Sequence, residues 1–411
     1  MTISNRLIVV SVLLCLSACT DIEPDMPFEP ESLALPSLSP ATGPRITGTD
    51  ETGLILSWME LGDASTSLRY SRFESGAWRP AEEVVAIDGM FINWADLPSV
   101  VALGGGRLAA HWLQSSGDSP YAYDVAARIS TDNGGNWSKI VTPHTDGTDT
   151  EHGFVSMFAW ESNLGMLWLD GRKSVNKVTD DPVASGMTLR ATLVDPYLQL
   201  KNEQLVDNLI CDCCQTDVAI SRRGPIAVYR DRSIDEIRDI AVTRFLDGKW
   251  QKGQNIAADQ WRISGCPVNG PAITAAEDDV AVAWFTGAGN KPAIKLAVSQ
   301  DGGESFAAPI TVIDGSVLGH VDIVPLDDGN FGVSWLQISD GGIGEVVVRK
   351  VNANGELGSI FAVSYGASSF SVPQMARSQD DLVFVWTASE NFVDQILSAK
   401  VPVAALNTKV H

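Results

Sequence analysis

Short alternating apolar runs that end in an aromatic residue recur along this chain. They are Leu54–Trp58, Leu108–Trp112, Gly165–Trp168, Ile226–Tyr229, Val280–Trp284, Phe331–Trp335 and Leu382–Trp386. Alternation with a period of two puts every second side chain on one face, the pattern of a β-strand and not of a helix. The closing aromatics stand 54, 56, 61, 55, 51 and 51 residues apart. A Pro or Gly precedes most copies (Pro44, Pro98, Gly224, Pro271, Pro325, Pro373), and a second alternating strand follows several, as at Ala126–Ser130 and Lys295–Ser299. Units of this length with several strands each predict an all-β fold, a β-propeller. Seven copies predict seven blades, with six as the alternative if one copy is an insertion. The last copy lacks a fourth strand, which the segment before Pro44 is placed to supply. No helical periodicity of useful length appears.

Composition agrees and narrows the partners. With 45% hydrophobic and 19% charged residues over 411 positions, the chain has ample material for a core and is not a disordered one. The 36 Gly and 20 Pro supply turns, and the 12 Trp supply strand ends. A formal charge of −22 argues against nucleic acid as a partner, because phosphate binding needs a basic surface. At the N-terminus Arg6 precedes the apolar run Leu7–Leu16, too short for a stable bilayer span. It ends in Leu16-Ser17-Ala18-Cys19, which resembles a bacterial lipobox. That resemblance implies removal of residues 1–18 as a lipoprotein signal peptide and lipidation of Cys19. With Thr20 following, it implies an outer-membrane lipoprotein, facing the periplasm or the cell surface. Residues 19–43 then read as a lipidated Cys and a Pro-rich tether, and residues 44–411 as the propeller domain.

Two segments carry a second resemblance. Ser130-Thr131-Asp132-Asn133-Gly134-Gly135-Asn136-Trp137 and Ser299-Gln300-Asp301-Gly302-Gly303-Glu304-Ser305-Phe306 both read S-x-D-x-G-x-x-aromatic. They resemble the Asp-box (BNR repeat) of the sialidase superfamily, which implies a sialidase-like propeller. In such boxes Ser130, Asp132, Gly134, Trp137 and their counterparts Ser299, Asp301, Gly303, Phe306 hold a hairpin turn away from any active site.

Chemistry is expected where blades converge, just before the innermost strands and just after the second ones. Those places hold Trp94, Asp96, His152, Cys211, Cys213, Cys214, Cys266, Asn269, His320, Asp322, Asp170, Arg172 and Arg230. Likeness to exo-α-sialidases implies arginines that clamp a carboxylate, a Tyr nucleophile and an Asp acid. Arg172, Arg230, Asp170, Asp96 and Tyr365 are the candidates. For a propeller that only binds a glycan or an envelope protein, Trp94, His152, Asn269, His320 and Asp322 are the recognition candidates. A third reading uses the four cysteines with His as a metal or redox site, with Cu or Zn as the ion. An even number of cysteines in an oxidising envelope favours disulfides instead, Cys266 with Cys213 or Cys214, and no cofactor.

Overall fold

The computed structural model describes residues 28–36, 40–49, 52–176, 181–339, 341–390 and 393–407. Cys19 and the signal-like run lie outside these residues. Strands dominate, and they pair antiparallel in chain order within each meander. Each repeat found in the sequence is the second strand of such a meander, for example Leu54–Leu61, Arg107–Ser115 and Asn330–Ile338. The first strands are β1 (Ala41–Thr47), β2 (Ser99–Gly104), β3 (His152–Trp160), β4 (Asp217–Ser221), β5 (Ala272–Ala276), β6 (Val317–Pro325) and β7 (Gln374–Ser378). Each packs on the next, and β7 packs back on β1, so the contacts close into a circle. The eight-stranded sheet is two such meanders joined only through the pair Ala367 and Ala388. Among the described residues the strands therefore fall into seven antiparallel units around a central channel of about 810 Å³, lined by all seven first strands. The fold is an all-β propeller.

Side chains stitch one unit to the next at the channel. Thr47 donates to Val100 O (2.5 Å), Phe154 N to Asp96 Oδ2 (2.7 Å), and Ser156 to Thr216 O (2.8 Å). Ile273 N donates to Asp217 Oδ2 (2.9 Å), His320 N to Asn269 Oδ1 (2.7 Å), and Met375 N to Asp322 Oδ2 (2.7 Å). First strands face the channel without a neighbouring ladder on that side, so their amides need such partners. Four of the buried strand-end tryptophans find theirs two residues on, as period-two geometry allows, while Trp284 donates to Asp259. Trp58 donates to Glu60, Trp112 to Gln114, Trp168 to Asp170 and Trp335 to Gln337.

Glu31–Ser32 pairs with Ala399 and Lys400, and Leu33 N donates to Ser398 O, leaving Leu33 buried. Without this strand Val393–Pro402 would present an open edge. The folded body thus takes in part of the segment read as a tether, and β1 begins at Ala41, three residues before Pro44. The two Asp-box turns close on themselves. Ser130 Oγ donates to Asp132 Oδ1 (2.9 Å) while accepting from Gly134 N (2.9 Å), and Asp132 Oδ1 also accepts from Asn136 N (2.8 Å). Ser299, Asp301, Gly303 and Ser305 repeat the pattern. Gly303 has φ +78°, and a Cβ there would lie 2.0 Å from Ile226 Cδ1, so only glycine fits. Trp137 packs edge-on against Tyr70, and Phe306 lies against the cluster containing Ile226 and Trp284.

Candidate functional site at the channel mouth

The loops that enter the first strands meet over one end of the channel. The turn Asn93–Asp96 is shaped by Asn93, whose Oδ1 accepts from Ala95 N (2.8 Å). Gln215 ties the turn across the ring, donating to Ala95 O (2.8 Å) and accepting from Gly270 N (3.2 Å). Trp94 is thereby held edge-on to His320 (5.8 Å between ring centres) and to Phe370 (5.4 Å). Trp94 and Phe370 are 40% and 64% exposed, so these large apolar faces are open to solvent. His320 lies buried below them at a bulge in β6, with φ +51°, a costly conformation for a non-glycine residue. Burial lowers the His320 pKa to about 4, so its imidazole is neutral near pH 7. Its Nδ1 has no hydrogen-bond partner among the described residues. Exposed aromatic side chains of this kind can stack on an apolar surface of a ligand.

The other recognition candidates are spent on the fold. Asn269 accepts from His320 N and donates to Pro267 O and Leu318 O, so its amide is fully used. Asp96 and Asp322 clasp the next unit through Phe154 N and Met375 N. Burial raises the pKa of both carboxyls to about 7, against those hydrogen bonds.

His152 belongs to a separate buried cluster with His144, Asp146, Asp170 and Arg172. The two imidazoles stack face to face, 3.8 Å apart and 4° from parallel. Asp146 Oδ1 lies 3.3 Å from His144 Nδ1, 3.3 Å from His152 Nε2 and 3.2 Å from Arg172 Nη2. Burial raises the Asp146 carboxyl, but the Thr148 hydrogen bond and the charges of His152 and Arg172 outweigh it and bring the pKa to about 2. Burial, then the His152 charge, lowers His144 to about 4. Arg172 grips Asp170 with Nε (2.6 Å) and Nη2 (2.7 Å) and reaches Glu203 with Nη1 (2.9 Å). Asp124, His144 and His152 bring ligand atoms within 4.8 Å of one another, as do Asp146, His152 and Asp170, and Arg172 supplies a positive charge beside the second group. His144 and Asp146 carried no recognisable motif in the sequence.

Arg230 is also committed, and it is 2% exposed. Its guanidinium donates to Asn269 O (2.9 Å), Arg238 O (2.8 Å) and Phe285 O (2.8 Å), lying 4.8 Å from the Trp261 ring centre. Neither Arg172 nor Arg230 lines the channel cavity, whereas Arg45 and Arg377 do. Tyr365 stands on the outermost strand of the sixth unit, opposite Glu345 and 72% exposed. The arginines and tyrosine expected from sialidase likeness are therefore not brought together around one point.

Cys213 and Cys266 form a disulfide with Cα atoms 6.0 Å apart, one of the two pairings expected. Cys211 and Cys214 are buried free thiols. The sulfurs of Cys211, Cys213 and Cys266 lie within 4.8 Å of one another, and no imidazole joins that group among the described residues. With two of the sulfurs bonded together and Arg238 Nη1 3.2 Å from the third, the group does not fit a thiolate cage for Cu or Zn.

No family model matches the chain, and no curated protein sequence matches it. Solved structures do. A protein of unknown function from Dyadobacter fermentans DSM 18053 superposes with a TM-score of 0.52 at 12% identity, over 90% of this chain and 98% of that one. The polysaccharide lyase Uly1 superposes with a TM-score of 0.51 at 9% identity, over 93% and 94%. A Trypanosoma rangeli sialidase gives 0.47 at 13% identity, over 92% of this chain and 60% of that one. At these identities the likeness extends to architecture alone. The chain has an all-β propeller fold.

Proposed function

We propose that this chain is a seven-bladed, glycan-binding propeller that docks an oligosaccharide at the channel mouth, on Trp94 and Phe370. The observation that carries the reading is the Trp94–His320–Phe370 group. It joins three segments remote in sequence and leaves two large aromatic side chains open to solvent over a buried imidazole. Sugar rings present C–H faces that pack on aromatic planes, and hydroxyls that meet a neutral imidazole. Uly1, of like fold, is a polysaccharide lyase, which is compatible with a glycan ligand but carries no residue assignment. We assign no bond-breaking step, because the candidate catalytic arginines are occupied by Asp170, Glu203 and backbone carbonyls.

The lipobox-like segment at Cys19 supports an outer-membrane lipoprotein, held by its lipid and presenting the mouth to glycans or glycan-bearing envelope proteins. Charge does not hold it there, since the chain is anionic, as the membrane surface is. A glycan array probed with the wild-type protein and with Trp94→Ala tests the reading. Binding to a defined set of oligosaccharides that disappears in the variant supports it. Binding that survives both Trp94→Ala and Phe370→Ala would place the site elsewhere.

A further inference from the structure

Two thiols and a disulfide meet beside the mouth, and neither the fold nor the glycan reading uses the thiols. Cys211-Asp212-Cys213-Cys214 sets Cys211 and Cys214 at the C-x-x-C spacing of dithiols that can close on themselves. Their sulfurs are 3.0 Å apart and both residues are buried. The neighbouring Cys213–Cys266 disulfide reaches solvent through Cys266, and both of its sulfurs lie within 4.8 Å of Cys211.

The two thiols are unequal. Arg238, itself 2% exposed, donates Nη1 to Cys211 Sγ at 3.2 Å. The Cys214 hydrogen bond, then the charges of Arg238 and Arg230, bring Cys211 down in spite of burial. Burial, then the Cys211 hydrogen bond and charge, pushes Cys214 up. The guanidinium of Arg238 thus favours the thiolate at Cys211 over Cys214, the division of labour a thiol-exchange pair needs. Two guanidinium groups at this spot also oppose a divalent cation.

We propose that Cys211 and Cys214 form a redox-active dithiol that exchanges with the solvent-reaching Cys213–Cys266 disulfide. The Cys211 thiolate attacks one sulfur of that disulfide, the S–S bond breaks, and the other cysteine leaves as a thiolate and takes up a proton. Cys214 then gives up its proton and attacks Cys211 in the mixed disulfide. A Cys211–Cys214 bond forms, and the second cysteine of the outer pair leaves and is protonated. Two electrons pass from the inner pair to the outer one, and the proton count balances once Cys211 has given up its own. The reduced outer pair then faces external disulfides, which are the substrate class.

The test equilibrates the full chain with graded ratios of reduced to oxidised glutathione, quenches in acid, alkylates, and maps linkages by peptide mass spectrometry. The expected result is a species with Cys211 bonded to Cys214 while Cys213 and Cys266 carry alkyl groups. In Cys214→Ser the exchange stops at a linkage from Cys211 to Cys213 or Cys266. Arg238→Gln raises the pH midpoint of exchange by about one unit. If Cys214→Ser fails to fold, the wild-type map decides alone. Absence of the Cys211–Cys214 bond at every ratio that partly reduces Cys213–Cys266 overturns the proposal. So does a protein in which both disulfides are closed and open together without any exchanged linkage.

Discussion

Replacing Arg230 by Met separates a structural arginine from a ligand-binding one. The side chain volume is nearly kept, but three N–H donors vanish from a buried site. Asn269 O, Arg238 O and Phe285 O lose partners now held at 2.8–2.9 Å, and Trp261 loses the cation over its ring. Leaving a buried polar group unpaired costs about 1–3 kcal/mol. Carbonyl oxygens have a second lone pair and relax in part, so the three together cost about 3–5 kcal/mol, the range for breaking a buried charged contact. The loss falls between the fourth and fifth units, because Asn269 and Phe285 belong to the fifth and Arg230 to the fourth. Urea unfolding followed by tryptophan fluorescence measures it as a fall in midpoint. Arg230→Lys, which keeps the charge but not the fork, recovers only part of the loss. Oligosaccharide affinity below the transition stays within about twofold, less than 0.5 kcal/mol. A loss of stability under about 1 kcal/mol together with a tenfold or greater drop in glycan affinity would overturn this assignment of Arg230. The guanidinium would then be serving a ligand and not the backbone.

Further outcomes follow from other parts of the molecule. Trp94→Ala weakens oligosaccharide binding about 10- to 100-fold, as loss of an aromatic anchor does, with an unchanged unfolding midpoint; isothermal titration checks the first and urea the second. Asp301→Ala removes the acceptor for Ser299 Oγ, Glu304 N, Ser305 N and Ser305 Oγ and lowers stability by about 1–2 kcal/mol without touching glycan affinity. The carboxyls of Asp96 and Asp322 sit near pKa 7 in the folded chain, against an ordinary value of 3.8. Their folded pKa is the higher one, so the stability they contribute is complete below about pH 4 and is lost as pH rises through about 7. The double variant Asp96→Asn and Asp322→Asn keeps the amide acceptors, and its unfolding midpoint falls less than that of the wild type between pH 4 and pH 7.

The blades were legible because their signal is local. Trp58, Trp112, Trp168, Tyr229, Trp284, Trp335 and Trp386 each close a strand whose alternation can be read without knowing the neighbours. The Asp-boxes were legible for the same reason, since Ser130, Asp132 and Gly134 bond one another within five residues. The disulfide narrowed to two pairings because Cys211, Cys213 and Cys214 precede one first strand and Cys266 the next. What the sequence hid depends on ring closure and on competition for partners. Phe370 carried no motif, and its place beside Trp94 exists only because ring closure brings the loop entering the seventh unit to the loop entering the second. Asn269, Asp96 and Asp322 looked like ligand-binding side chains, yet the amides of the next unit claimed them. Arg230 looked free at a strand end, but its charge is absorbed by three carbonyls from segments up to 55 residues away.

The central claim is that a sugar binds at the mouth on Trp94 and Phe370. Its most direct test is a crystal structure of the protein soaked with an oligosaccharide selected by the array. The expected structure shows a sugar ring packed on Trp94 and Phe370, with a hydroxyl within hydrogen-bond reach of His320. A sugar bound at the Arg172–Asp170 cluster, on an outer blade face or at the opposite end of the channel, with Trp94 and Phe370 bare, would contradict it.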